Sequence, residues 1–395
     1  MSQSMIRQDM QKIHFIGIGG VGLSNIAFFY LKKNIQVFGS DLQKSEITQE
    51  LKRQGAKIFI GHQAVNLKKS DLVIYSEAIP ENNPELQKAK KLNIKCLSGG
   101  QAISELSKNY FTIAVSGMHG KTTTCSMIAQ ILLKAGLDPS YVIGKKNGWR
   151  LGKSKYLIIE ADEYKDKFLN YYPDIALITN VESEHLDYFK NIANIKKSFK
   201  QFASQAKKII KYKKHNIKLQ IPGKHNRYNA CLAFETAKAL GIKNAIIKKA
   251  LFDYKGSWRR FEEKKLIINN YALIIIHDYA HHPSEIKATL QAAREKYPRK
   301  KIIAIFQPHQ YQRLNLLFND FAKSFNQADK TIITDVYKVP GREEKIQKTG
   351  QDLAMAIKNA KYIKLDKLAD FIKKIAKPNQ VILLMGAGDI YNIKL

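Results

Sequence analysis

The chain is predicted to be an α/β protein of three domains, and three observations predict it. Short apolar strands alternate with helical runs along almost the whole length, the pattern of sheets whose strands run mostly parallel. Two glycine-rich turns of different kinds, GIGGVG at Gly17–Gly22 and GMHGKTTT at Gly117–Thr124, each stand between such a strand and such a helix. At 395 residues the chain also exceeds what a single core usually organises.

The strands IHFIGI (Ile13–Ile18), IQVFGSD (Ile35–Asp41) and DLVIYS (Asp71–Ser76) open a Rossmann-like first domain over residues 1–108. A polar Gly-Gly segment near Leu97–Ala102 and the helix after it close that domain near Lys108. FTIAVSG (Phe111–Gly117), YLIIE (Tyr156–Glu160) and IALITN (Ile175–Asn180) build a central P-loop domain over 109–256. Gly256 interrupts the periodicity near Lys255–Ser257, which sets the second joint there. ALIIIHDY (Ala272–Tyr279), KIIAIF (Lys301–Phe306), KTIITDV (Lys330–Val336) and QVILLMG (Gln380–Gly386) then form a Rossmann-like third domain over 257–395. No internal repeat and no low-complexity linker is found.

Composition narrows the function classes. The formal net charge of +32 attracts anions in general. Lysines are spread through every segment, however, and no nucleic-acid-binding motif accompanies them, so no nucleic-acid partner is expected. Cys96, Cys125 and Cys231 are far apart and form no C-x-x-C pair, which suits a reducing compartment. The N-terminal residues MSQSMIRQDMQK are polar and include no apolar leader core. No apolar run approaches about 18 residues, the length a membrane span needs. A cytoplasmic enzyme without a membrane partner is the expectation.

GIGGVG fits the G-x-G-x-x-G pattern, follows a strand and opens the helical run LSNIAFFYL. Its glycines allow a tight turn and close backbone approach to a diphosphate seated at the helix N-terminus. Asp41 ends the next strand, where a dinucleotide fold places its ribose-binding acid. The motif leaves the nucleotide open, and NAD remains an alternative on these residues alone.

GMHGKTTT lacks the first glycine of the strict P-loop, because Val115 stands at that position, but it keeps Gly-Lys-Thr between strand and helix. Lys121 can place a positive charge on the β- and γ-phosphates, and Thr122 can offer its hydroxyl to Mg2+. Mg2+ takes oxygen ligands, and the carboxyl ends of neighbouring strands are where α/β sheets bind ligands. Glu160 ends YLIIE, followed by Asp162 and Glu163, while Glu182, Glu184 and His185 follow IALITN. His185 reads equally well as a metal ligand or as a capping histidine. His281–His282–Pro283 starts a helix and could simply cap it.

Taken together, the stretches IHFIGIGGVGLSNIA, SEAIPENNPE, GMHGKTTT, EADEY, ITNVESEHLDY, GKHNRYNA, DYAHHPSEI, FQPHQYQR and GAGDI resemble the Mur ligase family, in family order over nearly the whole chain. HFIGIGG, DYAHHP and FQPH point to the member that adds L-alanine. The resemblance implies ATP-dependent amide synthesis. The carboxylate of UDP-N-acetylmuramate would take the γ-phosphoryl group of ATP, and the amine of L-alanine would then displace phosphate from the acyl phosphate.

The resemblance also implies roles, position by position. Gly117, His119, Gly120, Lys121, Thr122 and Thr123 would bind ATP phosphates, with Thr122, Glu160 and His185 holding Mg2+. His225, Asn226 and Asn229 would lie on the adenine side. Arg260 and Asp278 would reach ATP from the third domain, with Asp278 towards the ribose. Gly19, Gly20, Asp41 and Ser76 would line the UDP site. Tyr279, His281 and Arg313 would frame the amino acid. Lys121, Glu160, His185, His281 and Arg313 would be the catalytic set, in a monomer or weak dimer. On this reading the first turn serves a UDP-sugar diphosphate and NAD recedes.

Two departures stand out. His277 replaces one of the paired acids that the family shows before the Tyr of DYAHHP, and Gln310 replaces the arginine of its QPHRY stretch. Glutamine cannot grip a carboxylate in the bidentate way of an arginine fork. The amino acid's carboxylate would therefore rest mainly on Arg313, with weaker binding of L-alanine or an altered choice among small amino acids.

Overall fold

The computed structural model describes residues 11–338 and 345–395, so most of the polar N-terminal segment lies outside the described residues. Its strands form three sheets. The first contains β1 (Lys12–Ile16), β2 (Gln36–Asp41), β3 (Lys57–Ile60), β4 (Leu72–Tyr75) and β5 (Cys96–Ser98), all parallel, in the order β3-β2-β1-β4-β5. The second contains β6 (Phe111–Ser116), β7 (Ser140–Val142), β8 (Trp149–Arg150), β9 (Tyr156–Glu160), β10 (Ile175–Ile178) and β11 (Lys208–Ile210), in the order β11-β10-β6-β9-β7-β8. The third contains β12 (Glu262–Ile268), β13 (Tyr271–Asp278), β14 (Lys301–Phe306), β15 (Lys330–Ile333), β16 (Ala360–Tyr362) and β17 (Gln380–Met385), in the order β12-β13-β17-β14-β15-β16. The pairs β7·β8 and β12·β13 are antiparallel.

The strands read from the sequence are the buried central ones. β3, β5, β7, β8, β11, β12 and β16 were not among them. Most of these are short or lie at sheet edges, and KIFI of β3 is exposed at both ends. An edge strand buries too little apolar surface to leave a strong pattern.

The described chain forms two compact units. The first runs to Lys218, resumes over Asn229–Phe252, and holds the first two sheets. One continuous apolar core, including Phe15, Ile26, Phe29, Leu157, Phe168 and Phe202, joins them. The joint expected near Lys108 thus lies inside a compact unit. Three contacts show why. The Phe28 and Trp149 rings stack at 5.5 Å. Asn25 donates to the carbonyls of Ile143 and Lys145 at 2.9 Å. Ser104 donates to the carbonyl of Asn170 at 2.5 Å.

The second unit comprises Leu219–Tyr228 and Asp253–Leu395. Its sheet is buried on both faces, in keeping with near-continuous apolar strands. Ile276, Ile302, Ala304 and Phe306 face one cluster, and Ile275, Ile303 and Ile305 face the other. The molecule is α/β throughout. Among the described residues no helix is long and apolar enough to cross a membrane.

Candidate active site

In each of the first two sheets a glycine turn leaves the strand at which the order reverses. Ligands bind in that crevice, because the flanking connections cross to opposite faces of the sheet there. The first turn follows β1, between β2 and β4. Gly17 and Ile18 donate backbone N–H groups to the carbonyl of Ser40 at 2.8 and 3.0 Å. Gly19 N–H donates to Asp41 Oδ2 at 2.8 Å. Gly17 has φ +81°, and a Cβ there would lie 3.1 Å from Cβ of Ser76, so glycine suits both conformation and space. Gly20 caps the helix Val21–Lys32, whose first turn contains no acid and whose cap accepts no side-chain bond. Its first N–H groups are available to an anion.

A buried polar network backs this turn. Glu85 and His14, both with fully buried side chains, pair at 2.6 Å. Ser40 donates to the same Glu85 oxygen at 2.9 Å, and Asn66 donates to the other at 3.2 Å. Burial pushes the Glu85 pKa up. The His14 pairing and the bonds from Ser40 and Asn66 outweigh that and hold it below the ordinary glutamate value.

The second turn follows β6, between β10 and β9. Gly117 has φ +131° and Gly120 has φ +83°, and Gly120 caps the helix Lys121–Lys134. A Cβ on Gly117 would lie 2.0 Å from Thr179 Oγ1. Residues after β10 shape the turn: Asn180 Oδ1 accepts from His119 N–H at 2.9 Å, and Thr179 donates to the His119 carbonyl at 2.5 Å. The His119 ring lies 3.7 Å from Glu182 and 4.0 Å from Glu184. Asn229, expected on the adenine side, packs on the turn itself. A Cβ on Gly120 would meet Asn229 Oδ1 at 2.6 Å. Thr122 and Thr123 are buried in the first helical turn.

Lys121 donates to both Glu163 oxygens, at 2.8 and 3.1 Å, and to the carbonyls of Gly117 at 2.5 Å and Met118 at 3.3 Å. His185 Nε2 lies 3.4 Å from the same Glu163. Burial pulls the Lys121 pKa down, but Glu163, with Asp162 and Glu160, outweighs it and leaves the ammonium above the ordinary lysine value. Glu160 ends β9 and accepts the Gly144 N–H at 2.9 Å. Lys121 and His185 are therefore joined through Glu163, to which the sequence reading gave no role. The quoted EADEY contained it, but nothing in one sequence distinguishes its buried carboxylate from its neighbours.

The second unit gathers the remaining expected residues around β13. Asp278 ends that strand and accepts N–H groups of Phe261 at 2.7 Å and Ala280 at 2.8 Å. Burial raises its pKa, against the opposing charge of Arg260. Arg260 lies over the Tyr279 ring at 4.8 Å and 3.7 Å from Glu285, which also pairs with His281 at 3.1 Å. The His281 ring stands 5.9 Å from that of His309, whose Nδ1 lies 3.4 Å from Arg313 Nη1. His282 caps the helix Pro283–Lys296 by accepting the Ser284 N–H, which leaves His281 as the histidine beside Tyr279. Asn226 donates to the Pro222 carbonyl at 2.6 Å, and His225 lies against Gly223. Gln310 has φ +71° just before the helix Tyr311–Leu316, an unusual conformation for a residue with a side chain. His309, Glu285 and Arg259 were not read as site residues. Arg259 donates to the carbonyls of Gly386 and Gly388 at 2.5 and 3.0 Å and so fixes the GAGDI turn.

Residues 12–111 match the Mur ligase family, catalytic domain, residues 115–210 the Mur ligase middle domain, and residues 259–388 the Mur ligase, glutamate ligase domain. A UDP-N-acetylmuramate–L-alanine ligase of Caldanaerobacter subterraneus subsp. tengcongensis is 39% identical over 98% of this chain and 97% of its own length. One from Sulfurihydrogenibium sp. is 37% identical over 98% and 97%. The crystal structure of a UDP-N-acetylmuramate–alanine ligase from Thermotoga maritima superposes with a TM-score of 0.82 at 27% identity, covering 96% of each chain. With three domain matches in order and relatives similar over almost their full length, the chain belongs to the Mur ligase family.

Proposed function

We propose that this chain joins L-alanine to the carboxylate of UDP-N-acetylmuramate at the expense of ATP, a step of peptidoglycan precursor synthesis in the cytoplasm. The observation that supports it most is the second turn. Lys121 and Thr122 follow β6, Glu160 ends the adjacent β9, and His185 follows the adjacent β10, all at one edge of one sheet.

A carboxylate is a poor electrophile, so phosphorylation must first supply a leaving group. A carboxylate oxygen attacks the γ-phosphorus and ADP departs with the electron pair of the broken P–O bond. The amine of L-alanine then adds to the acyl carbon, and phosphate leaves as the amine loses a proton. Lys121 neutralises the charge that grows on the transferred group. The Thr122 hydroxyl and the Glu160 carboxylate are hard oxygen donors of the kind Mg2+ takes, and His185, which follows β10, would add a nitrogen donor. Bound there, the ion would neutralise phosphate charge.

In this reading Gly117, His119, Gly120, Thr123 and Asn229 shape the phosphate turn. His225, Asn226, Arg260 and Asp278 serve the nucleotide. Gly19, Gly20, Asp41 and Ser76 serve the UDP diphosphate. Tyr279, His281 and Arg313 serve the amino acid. The division into UDP-sugar, ATP and amino-acid domains over 1–108, 109–256 and 257–395 belongs to the same reading, as does action as a monomer or weak dimer.

The test is phosphate release with ATP, Mg2+ and UDP-N-acetylmuramate, adding L-alanine, glycine or L-serine in turn. Release that needs both the UDP-sugar and one of these amino acids supports the proposal, and release indifferent to them refutes it. Gln310→Arg should lower the KM for L-alanine by roughly tenfold, as a restored carboxylate fork would. An unchanged KM would remove Gln310 from the amino-acid site.

A further inference from the structure

Lys121 has no donor to spare where it stands. An ammonium has three protons, and Glu163 with the carbonyls of Gly117 and Met118 already offers four acceptor atoms between 2.5 and 3.3 Å. Glu163 is held as firmly, since its side chain is 1% exposed. His185, with φ +54°, brings Nε2 to 3.4 Å from Glu163, and its ring packs on Tyr164 at 4.7 Å. If Lys121 turns towards a phosphate, Glu163 becomes a buried carboxylate that has lost its cation, which is costly unless another positive charge arrives. Bare ATP brings only negative charge, into a site where Asp162 and Glu160 already act on Lys121.

We infer that Glu163 is a positioning residue that holds the phosphate's place on Lys121, so that Lys121 passes to ATP only when a divalent cation arrives with it. The inference rests on the reading of Lys121 as the ATP lysine and adds a device that makes nucleotide binding depend on the cation. Glu163 acts through Lys121 and His185, without touching substrate.

The experiment measures equilibrium binding of ATP to the full chain in EDTA and in Mg2+, for the wild type and Glu163→Gln. Glutamine keeps the size and an acceptor oxygen but removes the charge that ATP must displace. In EDTA the variant should bind ATP about tenfold more tightly than the wild type, a difference of about 1.4 kcal/mol. In Mg2+ the two should agree within about threefold, while the variant's kcat falls because His185 has lost its anionic anchor. A purely structural role would weaken binding in both buffers. A folded Glu163→Gln that binds ATP in EDTA no more tightly than the wild type overturns the inference.

Should that variant fail to fold, the wild type decides. ATP affinity at least a hundredfold lower in EDTA than in Mg2+ supports the inference, and a ratio near one overturns it. A wild type that binds ATP in neither buffer overturns the ligase reading itself, whereas normal binding in Mg2+ without the gain in EDTA overturns this inference alone.

Discussion

The turns at Gly17–Gly22 and Gly117–Thr124 leave central strands of neighbouring sheets at a reversal of strand order, and each opens a helix whose first turn carries no acid. They differ in where the charge lies. The first offers backbone N–H groups only, and its one carboxylate, Asp41, accepts the Gly19 N–H at 2.8 Å. Its ionic network is buried behind it, on Glu85 and His14. The second places an ammonium inside the turn and sets carboxylates around it. A diphosphate that is only held needs preorganised dipoles, whereas a phosphoryl group that is transferred needs charge that can follow it. On the proposed function, the comparison teaches that one helix-N-terminus geometry would serve as a binding site or as a reaction site, according to what surrounds it.

The most severe way to break this contrast is Lys121→Ala. Phosphate release should fall by about a thousandfold, with UDP-N-acetylmuramate affinity unchanged in an equilibrium titration. If both fall together, the turns do not divide holding from transfer.

Next comes Glu85→Gln, which removes a charge from the network behind the first turn. Breaking a fully buried pair should cost about 3 kcal/mol, read as a lowered denaturation midpoint. The sign of the pH effect follows from the depressed Glu85 pKa. Its contribution is present above the ordinary glutamate value and is lost as pH falls through that value towards the lower folded one. The variant's acid-unfolding curve should therefore be flatter over that window.

Gly117→Ala compared with Gly19→Ala sharpens the contrast in backbone terms. At Gly117 a methyl would meet Thr179 Oγ1 at 2.0 Å, with φ +131°. A loss of about 1–3 kcal/mol is expected from the strain alone. At Gly19 the methyl meets Asp41 Oδ2 at 2.9 Å, the end of a side chain that can turn away. A loss below about 1 kcal/mol and weaker UDP-sugar binding should result. The smallest effect should be that of Asp41→Asn. It leaves an oxygen for the Gly19 N–H and should raise the KM for the UDP-sugar only about threefold, as the loss of one charge-assisted hydrogen bond allows.

Much of the candidate site was legible because glycine turns between a strand and a helix have a local grammar. Glycines at fixed spacing, a preceding apolar run and a following helical run lie within about fifteen residues of each other, so Gly17–Gly22, Lys121 and Thr122 could be read directly. Glu160 was legible as the polar residue that ends an apolar strand. Glu163 was not, because its role depends on burial against Lys121 from 42 positions away in the chain. The same holds for Asn229, which meets Gly120 across the fold, and for the pairing of Glu85 with His14. The sequence could not show that the two sheets on either side of the expected joint near Lys108 share a core. Contacts such as the stacking of Phe28 on Trp149 join them, and these exist only in the folded chain.

By itself the sequence determined the α/β class, the central strands and the two glycine turns, since hydrophobic period and glycine spacing are properties of neighbouring residues. Tertiary structure alone decided which carboxylate holds Lys121, which residues back each turn, and that the first two sheets form one unit. Charge pairing and close packing act between groups that the chain separates by tens of residues, and their strength is set by burial, which only the folded molecule creates.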